Sequence, residues 1–401
     1  MSDKVICIAG KNSIAINTLS YVLDRYPQYK VLACINRTDN YNNNWQKSFG
    51  RYCHDKNIEI VELQQLYNIR NLYLFSLEFD RLIDTRKFTS NKLFNIHFSL
   101  LPAYKGMYTS ALPILHNEKE TGVTLHLIDN GIDTGDIIAQ EKILIDNDLN
   151  CRDLYLSYLK IGEALVIQNF DKLISNNFTA IVQSSNGSSY YSKNKIDYEN
   201  IIIDLNKTAI EIACQIRAFS FREYQLPTVL GYAIYKAFIL ESRSFSKPGT
   251  LLREDTISIT ISSVDYDVRL MKDQLRELHE AAHSGDLRKI QDIYASGYDI
   301  TVKDANGWDV LIIASYNGSF DVVKWIIDNE LLNINTRNFK GTTAVMYAMT
   351  YATKSKDKSI LEYLILNGAD LKLVDQNNLD IFNYAKEYDF ELFKDLLKYA
   401  Q

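Results

Sequence analysis

The stretch LFNIHFSLLPAYKG, residues 93–106, ends an apolar run with an asparagine and a histidine two positions apart. Strand alternation would place Asn95 and His97 on one face and their apolar neighbours on the other. An amide and an imidazole side by side can stabilise a developing negative charge and move a proton. A buried pair whose polar atoms bond the backbone would show the same residues, so the pattern by itself leaves both interpretations open.

A carboxylate follows in HLIDNGIDTGDIIAQ, about thirty residues later. Asp133 stands between Gly131 and Gly135, and glycines let a loop bend closely toward a neighbouring strand. The carboxylate would then orient the imidazole of His97, while the amide of Asn95 donates to an oxyanion. These three residues therefore predict an acyl-transfer site at the end of a strand.

The elements around these residues form an α/β pattern. VICIAG, SIAINTLSYVLDRY and VLACIN predict a strand, a helix and a strand, which make a right-handed unit with a parallel sheet. Residues 1–182 thus predict a doubly wound, Rossmann-like domain, whose ligands bind at the carboxyl ends of the strands. Lys11 and Asn12 follow Gly10 at the first helix start, where an anion could bind. A glycine that only makes the turn is equally compatible with this pattern.

Residues 183–270 have a different character. A polar, tyrosine-rich loop and one helix precede two long segments that alternate apolar and polar residues, as antiparallel strands do. This segment predicts a small, β-rich second domain.

The last segment repeats. LHEAA, LIIAS, VMYAM and IFNYA begin at Leu278, Leu311, Val345 and Ile381, at offsets of 33, 34 and 36 residues. A period near 33 with this pattern resembles the ankyrin repeat, in which helix pairs bury their apolar faces by stacking. Residues 271–401 therefore predict an all-α domain of four repeats.

The composition limits the class of protein. The 401 residues carry a net charge of −6 without a basic tract, which argues against nucleic acid as a partner. Since no apolar run approaches the roughly 18–20 residues of a membrane span, and the start does not resemble a secretory signal, we expect a cytoplasmic protein without membrane contact. The five cysteines and six histidines form no metal-binding motif, so we expect no metal.

Two motifs together carry a family resemblance. N-x-H-x-S-L-L-P-x-Y-x-G and G-V-T-x-H-x-x-D-x-G-I-D-T-G-D-I-x-x-Q resemble the signature of formyltransferases that use N10-formyltetrahydrofolate. The resemblance covers the first domain and, more loosely, the second. It implies that Asn95, His97 and Asp133 are catalytic, and that the formyl group passes directly to an amine. It also implies contacts to the folate co-substrate from Phe75, Ser76, Leu77, Asp129 and Asp136.

The other two domains narrow the choice of the molecule whose amine accepts the formyl group. An acidic chain with ankyrin-like repeats argues against tRNA, and the second domain argues against a one-domain purine enzyme. What remains resembles the sugar N-formyltransferases that act on a dTDP-linked 3-amino-3,6-dideoxyhexose, of gluco or galacto configuration, for O-antigen and lipopolysaccharide synthesis. A dTDP-4-amino-4,6-dideoxyglucose is the alternative substrate, and a formyltetrahydrofolate hydrolase or a binding scaffold is a more distant alternative.

The segment IRAFSFREYQLP resembles the part of sugar N-formyltransferases that holds the nucleotide. Phe221 or Tyr224 could then pack against the base, and Arg217 could bind a phosphate. With 27 tyrosines in the chain, a packing role is an alternative for each aromatic candidate. The further candidates for substrate binding are Lys11, Asn12, Tyr104, Lys105, Tyr190 and Lys193.

The ankyrin-like segment leaves three roles open. It could bind a partner protein, stabilise the enzyme or its dimer, or hold a second ligand such as another nucleotide sugar. Trp308 follows an Asn-Gly turn in the second repeat and is the candidate for stacking on a base. A homodimer is expected, because twofold dimers are the commonest oligomers.

Overall fold

The computed structural model describes residues 4–388, which form two compact units. The first unit comprises residues 4–42 and 47–272, and the second comprises residues 43–46 and 273–388. The boundary predicted at residue 182 lies inside the first unit. Within the described residues, no helix has the length and apolar character that a membrane crossing requires.

A seven-stranded mixed sheet organises the first part of the first unit. Its order is β3-β2-β1-β4-β5-β7-β8. The first five strands in this order are parallel, β7 is antiparallel to β5, and β8 is antiparallel to β7. The predicted doubly wound α/β fold is confirmed, while the antiparallel edge was not predicted. The strands, including the short β6 outside this sheet, are β1 (Val5–Gly10), β2 (Lys30–Ile35), β3 (Glu59–Ile60), β4 (Leu72–Leu77), β5 (Leu93–His97), β6 (Lys105–Gly106), β7 (Glu120–Leu127) and β8 (Ile137–Leu144).

The helices of this part are α1 (Asn12–Arg25), α2 (Phe49–Asp55), α3 (Leu112–Leu115) and α4 (Cys151–Ile174). Alternation along β4 sends Phe75 and Leu77 into the larger core that includes α1 and α4, and Leu74 into a smaller core on the opposite face. The segment NLYLFSLEFDRLID predicts a short strand whose end leads into a helix, and the helix part of that prediction is wrong. The chain there forms a loop that leads to one 3-10 turn, Thr85–Lys87.

The rest of the first unit is β-rich. β9 (Tyr190–Tyr191) pairs with β6, and α5 (Ala209–Phe219) begins at a capping box formed by Thr208 and Glu211. Antiparallel pairing then builds a second sheet of order β10-β11-β14-β13-β12. Its strands are β10 (Thr228–Val229), β11 (Tyr232–Arg243), β12 (Leu251–Glu254), β13 (Ser258–Ile261) and β14 (Tyr266–Lys272).

The second unit consists of helix pairs at the predicted repeat spacing. Both α6 and α8 end at a left-handed glycine, Gly285 (φ 75°) and Gly318 (φ 82°), which suits a residue without a Cβ. Residues 389–401 of the predicted fourth repeat lie outside the described residues. The helices are α6 (Leu275–Ser284), α7 (Leu287–Ala295), α8 (Val310–Asn317), α9 (Phe320–Asp328), α10 (Ala344–Ser355), α11 (Ser359–Leu366) and α12 (Ile381–Tyr388).

Candidate active site

The polar residues of β5 lie between two neighbouring strands. Asn95 is paired with Ser76 of β4 and with His126 of β7, and His97 is paired with Thr124 of β7. Phe94 and Ile96, which alternate with them, are buried in the large core. Alternation therefore leaves the amide and the imidazole on the face away from that core, at the carboxyl end of β5.

Asp133 reaches His97 from the loop between β7 and β8. Its Oδ2 lies 3.4 Å from Nδ1 of His97, whose side chain is only 9% exposed. The other ring nitrogen, Nε2, lies 2.8 Å from the carbonyl oxygen of Tyr104. Because both ring nitrogens face oxygen acceptors, the doubly protonated imidazole of His97 can donate a hydrogen bond on each side.

The conformation of the loop brings this carboxylate to the strand end. Asp133 has a left-handed backbone (φ 54°), and its Oδ2 accepts a 2.9 Å hydrogen bond from the amide of Gly106. Gln183 donates to the carbonyl oxygens of Asp133 and Gly135, at 2.9 and 2.7 Å. A Cβ on Gly135 would lie 1.8 Å from the carbonyl oxygen of Leu127, so only glycine fits there. The two flanking glycines and Gln183 thus set the position of Asp133.

His126 is a residue of this cluster that the sequence analysis did not select. Its Nδ1 donates to the carbonyl oxygen of Leu127 at 2.7 Å, and its Nε2 accepts from Nδ2 of Asn95 at 3.0 Å. Burial, followed by the charge of His97, lowers the pKa of His126 from 6.5 to about 4. The ring is therefore a neutral acceptor at pH 7, and it holds the amide of Asn95. One N–H of that amide remains for another partner.

The sequence did carry a signal for His126. It lies in the same motif as Asp133, and the antiparallel register places it directly beside Asn95. Pairing across strands cannot be read from one segment, so this neighbour required the structure.

A cavity of about 300 Å³ opens beside these groups, a volume within the range of small-molecule sites. Ser76 and Asp129, two of the predicted folate contacts, line it. The side chains of Phe75 and Leu77 are buried in the core instead, so their predicted contacts would have to come from the backbone. Asp136 is half-buried and its carbonyl oxygen accepts from the amide of Leu127. The remaining lining combines the candidate groups Asn95, His126 and Asp133 with apolar side chains, with further polar or charged side chains and with a glycine. The apolar ones are Phe79, Leu82, Ile83, Ile128 and Ile132, the polar or charged ones are Arg81, Asp84, Arg86 and Asn130, and the glycine is Gly131.

Four predicted substrate contacts lie along β6 and β9. The carbonyl oxygen of Tyr104 faces His97, and the Tyr104 hydroxyl donates to Glu118 at 2.7 Å. Lys105 is buried, with its Nζ 3.1 Å from the hydroxyl of Ser188, and pairs in register with the exposed Tyr190. The carbonyl oxygen of Lys193 accepts a hydrogen bond from the hydroxyl of Tyr108. Tyr104 is thus the member of this group that contacts the predicted catalytic trio.

A second group surrounds the start of α1. Lys11 is the residue before α1, and Nδ2 of Asn12 donates to a carboxylate oxygen of Glu78. Close by, the Phe221 ring lies 4.8 Å from the ring of Tyr224, which is 62% exposed. The two aromatics predicted for the nucleotide therefore adjoin each other.

Arg217 does not present its charge to this region. It is buried, and its guanidinium donates to the carbonyl oxygens of Asp146 and Leu149 at 2.9 and 3.2 Å. These contacts tie α5 to the loop after β8, so they give no support to a phosphate-binding role.

Trp308 lies in the second unit. Its ring centroid is 4.6 Å from that of Tyr347 and 5.5 Å from that of Tyr316. With His279 and His283 it lines an open groove of about 610 Å³ in that unit. Among residues 4–388, no group of three histidine, cysteine, aspartate or glutamate side chains has an arrangement that could hold a metal ion.

Comparison with known proteins agrees with this architecture. Residues 80–170 match the formyl transferase family, and residues 278–375 match three ankyrin repeats. Methionyl-tRNA formyltransferases of Coxiella burnetii and Methylacidiphilum infernorum are 30% and 32% identical over 189 and 200 residues. These alignments cover 45% and 49% of this chain, and 58% and 62% of the relatives' length, so the chain spans only about six tenths of them.

Solved structures match over greater length. WlaRD, a sugar 3N-formyl transferase crystallised in the presence of dTDP and 5-N-formyl-THF, is 42% identical with a TM-score of 0.63. That match covers 68% of this chain and 98% of WlaRD. An N-formyltransferase of Helicobacter canadensis, in complex with folinic acid and dTDP-3-aminofucose, is also 42% identical, with a TM-score of 0.62 over 67% and 99%. The chain therefore belongs to the sugar N-formyltransferase family and carries ankyrin repeats in its second unit.

Proposed function

We propose that this chain transfers a formyl group from N10-formyltetrahydrofolate to the amine of a dTDP-linked 3-amino-3,6-dideoxyhexose, of gluco or galacto configuration. The observation that carries this proposal is the cluster of Asn95, His97 and Asp133 at a cavity beside the end of β5. The two 42% identical relatives support this choice of substrates. One was crystallised in the presence of dTDP and 5-N-formyl-THF, and the other is in complex with folinic acid and dTDP-3-aminofucose.

Asn95 and His97 would stabilise the oxyanion that forms when the sugar amine attacks the formyl carbon. The amide of Asn95 is held by His126 at 3.0 Å and has a second N–H to donate. His97 would then give a proton to the departing N10 nitrogen as the bond between that nitrogen and the formyl carbon breaks.

Asp133 would complete the proton balance. The amine loses one proton as the new C–N bond forms, and Asp133 can accept it directly or through water. Since Asp133 lies 3.4 Å from Nδ1 of His97, the same proton can replace the one that His97 gave to N10. The pair then returns to its starting state, and no covalent enzyme intermediate is needed.

We further propose that the product serves O-antigen and lipopolysaccharide synthesis. We place the reaction in the cytoplasm, with the enzyme as a homodimer. All five cysteines are unpaired thiols, in keeping with a reducing compartment.

The ankyrin unit would hold a partner protein or a second nucleotide sugar. The groove beside Trp308 supports this part, because two further aromatic rings accompany the indole. Calorimetric titration of dTDP into the wild type and into a Trp308→Ala variant would test the nucleotide option. Two binding events in the wild type and one in the variant are expected if the groove takes the nucleotide.

The test of the main proposal is a transfer assay. The enzyme is incubated with N10-formyltetrahydrofolate and a panel of dTDP-linked 3-amino and 4-amino dideoxyhexoses, and both tetrahydrofolate release and sugar mass are followed. Formylation of a 3-amino sugar that is lost in His97→Asn, but kept in the exposed-histidine control His54→Asn, is expected.

Other results would point to the alternatives. Preference for a 4-amino sugar would move the substrate to dTDP-4-amino-4,6-dideoxyglucose. Formate release without sugar modification would indicate a formyltetrahydrofolate hydrolase, and binding without turnover would indicate a scaffold.

A further inference from the structure

Glu78 is a half-buried carboxylate at the point where the winding of the main sheet reverses. In the order β2-β1-β4-β5, the chain winds outward in both directions from the neighbours β1 and β4. Ligands of such sheets bind in the crevice beyond the carboxyl ends of the strands at this place. Glu78 directly follows β4, and Lys11 and Asn12 directly follow β1. These three residues therefore lie at the crevice.

The backbone and side chain of Glu78 are both held in place. It has a left-handed conformation (φ 59°), and its carbonyl oxygen accepts a 3.0 Å hydrogen bond from Asn36. Oε2 accepts from Nδ2 of Asn12 at 2.5 Å and from the hydroxyl of Tyr155 at 2.7 Å. Non-glycine residues adopt this backbone at a cost, and such strain clusters at ligand sites.

The partners of this carboxylate are neutral. An amide and a phenol, those of Asn12 and Tyr155, bind Oε2. Both recorded side-chain bonds fall on one oxygen, so Oε1 keeps its acceptor capacity. A partly buried carboxylate with acceptor capacity to spare favours a cationic hydrogen-bond donor.

The register places this carboxylate beside the predicted catalytic strand. β4 and β5 pair as Ser76 with Asn95 and Leu77 with Ile96, and Glu78 is the residue that directly follows β4. Adjacent strands lie about 4.8 Å apart. A cationic group bound at Glu78 would therefore lie at the same edge of the sheet as the residues that the formyl transfer uses.

Aromatic groups enclose the same crevice. The Tyr155 ring lies 5.7 Å from that of Phe221, and Phe221 lies 4.8 Å from Tyr224. Burial first, and then the charge of Glu78, raises the pKa of Tyr224, which shows that this phenol lies within the field of the carboxylate. A flat base and a cationic sugar substituent would thus find complementary groups in one crevice.

We propose that Glu78 is the residue that binds the acceptor amine and selects an amino sugar over its hydroxy analogue. This inference rests on the proposed function and names a specificity residue for it. The amine arrives as the ammonium ion, and Oε1 accepts a charge-assisted hydrogen bond from it. The ammonium ion gives one proton to solvent before the neutral amine attacks the formyl carbon, and the second proton leaves as the new C–N bond forms. A sugar with a hydroxyl in that position would lack the positive charge, so it would be held less tightly.

The test is the isosteric change Glu78→Gln, with Glu163→Gln on the exposed side of α4 as the matched control. For the accepted dTDP-amino sugar, KM should rise about 10- to 100-fold, the scale of a hydrogen bond to a charged group. The Kd of dTDP, which has no amine, should stay unchanged. The wild-type preference in binding for the amino sugar over the matching dTDP-6-deoxyhexose should shrink by the same factor.

An unchanged KM with an unchanged preference would overturn the assignment. Equal weakening of dTDP and the amino sugar would also overturn it, because Glu78 would then only maintain the crevice. If Glu78→Gln lowers the melting temperature markedly, Glu78→Asp replaces it as the test variant. That variant keeps the charge but shortens its reach, so a raised KM with retained amine preference is expected and an unchanged KM contradicts the proposal.

The two proposals fail differently. If the wild type formylates no sugar nucleotide, the proposed function fails. If the wild type is active and Glu78→Gln behaves as Glu163→Gln does, only the role of Glu78 fails.

Discussion

Two aspartates, the half-buried Asp133 of the first unit and the buried Asp309 of the second, show how differently the same side chain is used. Asp309 begins α8: its Oδ1 accepts from the amide of Ile312 at 3.0 Å, and its Oδ2 accepts from the hydroxyl of Thr336. Asp133 caps no helix, and its two oxygens lie 3.4 and 3.8 Å from ring nitrogens of His97 and His126. One carboxylate is held by a helix start, a hydroxyl and Lys303, whose Nζ lies 3.6 Å away, whereas the other faces His97, with which it can exchange a proton.

Two turn aspartates of the repeat unit differ from the candidate site in the range of their contacts, although Asp309 itself bonds Thr336 across 27 residues. In the repeat unit, Asp304 and Asp375 each accept backbone hydrogen bonds from residues two and four positions later. In the sheet unit, Asn95 bonds His126 across 31 residues, and Asp133 bonds Gly106 across 27. Short-range polar contacts build turns and helix starts, while the long-range contacts gather reactive groups at one strand end.

The largest expected effect tests this contrast through Asp133. Asp133→Asn should lower kcat about 10²–10⁴-fold, because the proton acceptor beside His97 is lost. Asp309→Asn should leave kcat unchanged, since it lies in a helix start. The assay is tetrahydrofolate release at saturating substrates. Equal losses in the two variants would end the distinction drawn between the aspartates.

The next effect concerns pH. The folded-state pKa of His126, about 4, lies below its usual 6.5, so the unfolded chain binds more protons between these values. The free energy of unfolding should therefore be fully retained above about pH 6.5 and fall as the pH drops toward 4. At about 1.4 kcal/mol per pKa unit, the loss is about 3 kcal/mol.

Urea unfolding from pH 4 to 7 measures this loss, and His126→Gln should flatten the pH dependence. The exposed-histidine control His54→Gln should keep it. If the free energy of unfolding depended on pH as steeply in His126→Gln as in the control, this result would contradict the neutral, buried state of His126.

A smaller effect is expected in the repeat unit. Asp309→Ala removes a fully buried helix cap and leaves the amide of Ile312 and the hydroxyl of Thr336 without their acceptor. The free energy of unfolding should fall by about 1–3 kcal/mol. Chemical unfolding followed by circular dichroism measures it, and a change under the experimental error would show that the cap is replaceable.

The smallest effect belongs to a single phenol. The Tyr347 hydroxyl accepts a 2.9 Å hydrogen bond from Nδ2 of Asn338, which is buried. Tyr347→Phe keeps the ring against Trp308 and removes the hydroxyl with its side-chain hydrogen bonds to Asn338 and Thr342, so a loss of about 1 kcal/mol is expected. The Tyr316→Phe variant, in which the hydroxyl contacts the exposed Lys354, serves as its matched control and should lose less.

Sequence reasoning recovered the features whose evidence is local or periodic. The repeat spacing predicted the helix pairs of the second unit, and alternation predicted the strands that carry Asn95 and His97. The two motifs selected Asp133, for which the structure provides the contact to His97. Sequence reasoning did not recover His126, because the partner of His126, Asn95, belongs to another strand.

Side-chain destinations were less predictable than elements. Arg217 was selected for a phosphate, yet its donors bond carbonyl oxygens of the loop after β8. Glu78 was not selected, although a left-handed backbone and two neutral partners hold it at the crevice. A charged residue carries no mark in the sequence of whether its partner will be internal or a ligand.

The sequence by itself determined the periods, the strand and helix segments, the repeat unit and the residues of the candidate trio, since these depend on neighbours a few positions apart. The tertiary structure decided the antiparallel sheet edge, the neutral state of His126 and the placement of Glu78 beside β5. The physical reason is that register, burial and charge at a strand end are set by segments distant in the chain. Only their packing brings those segments within hydrogen-bonding distance.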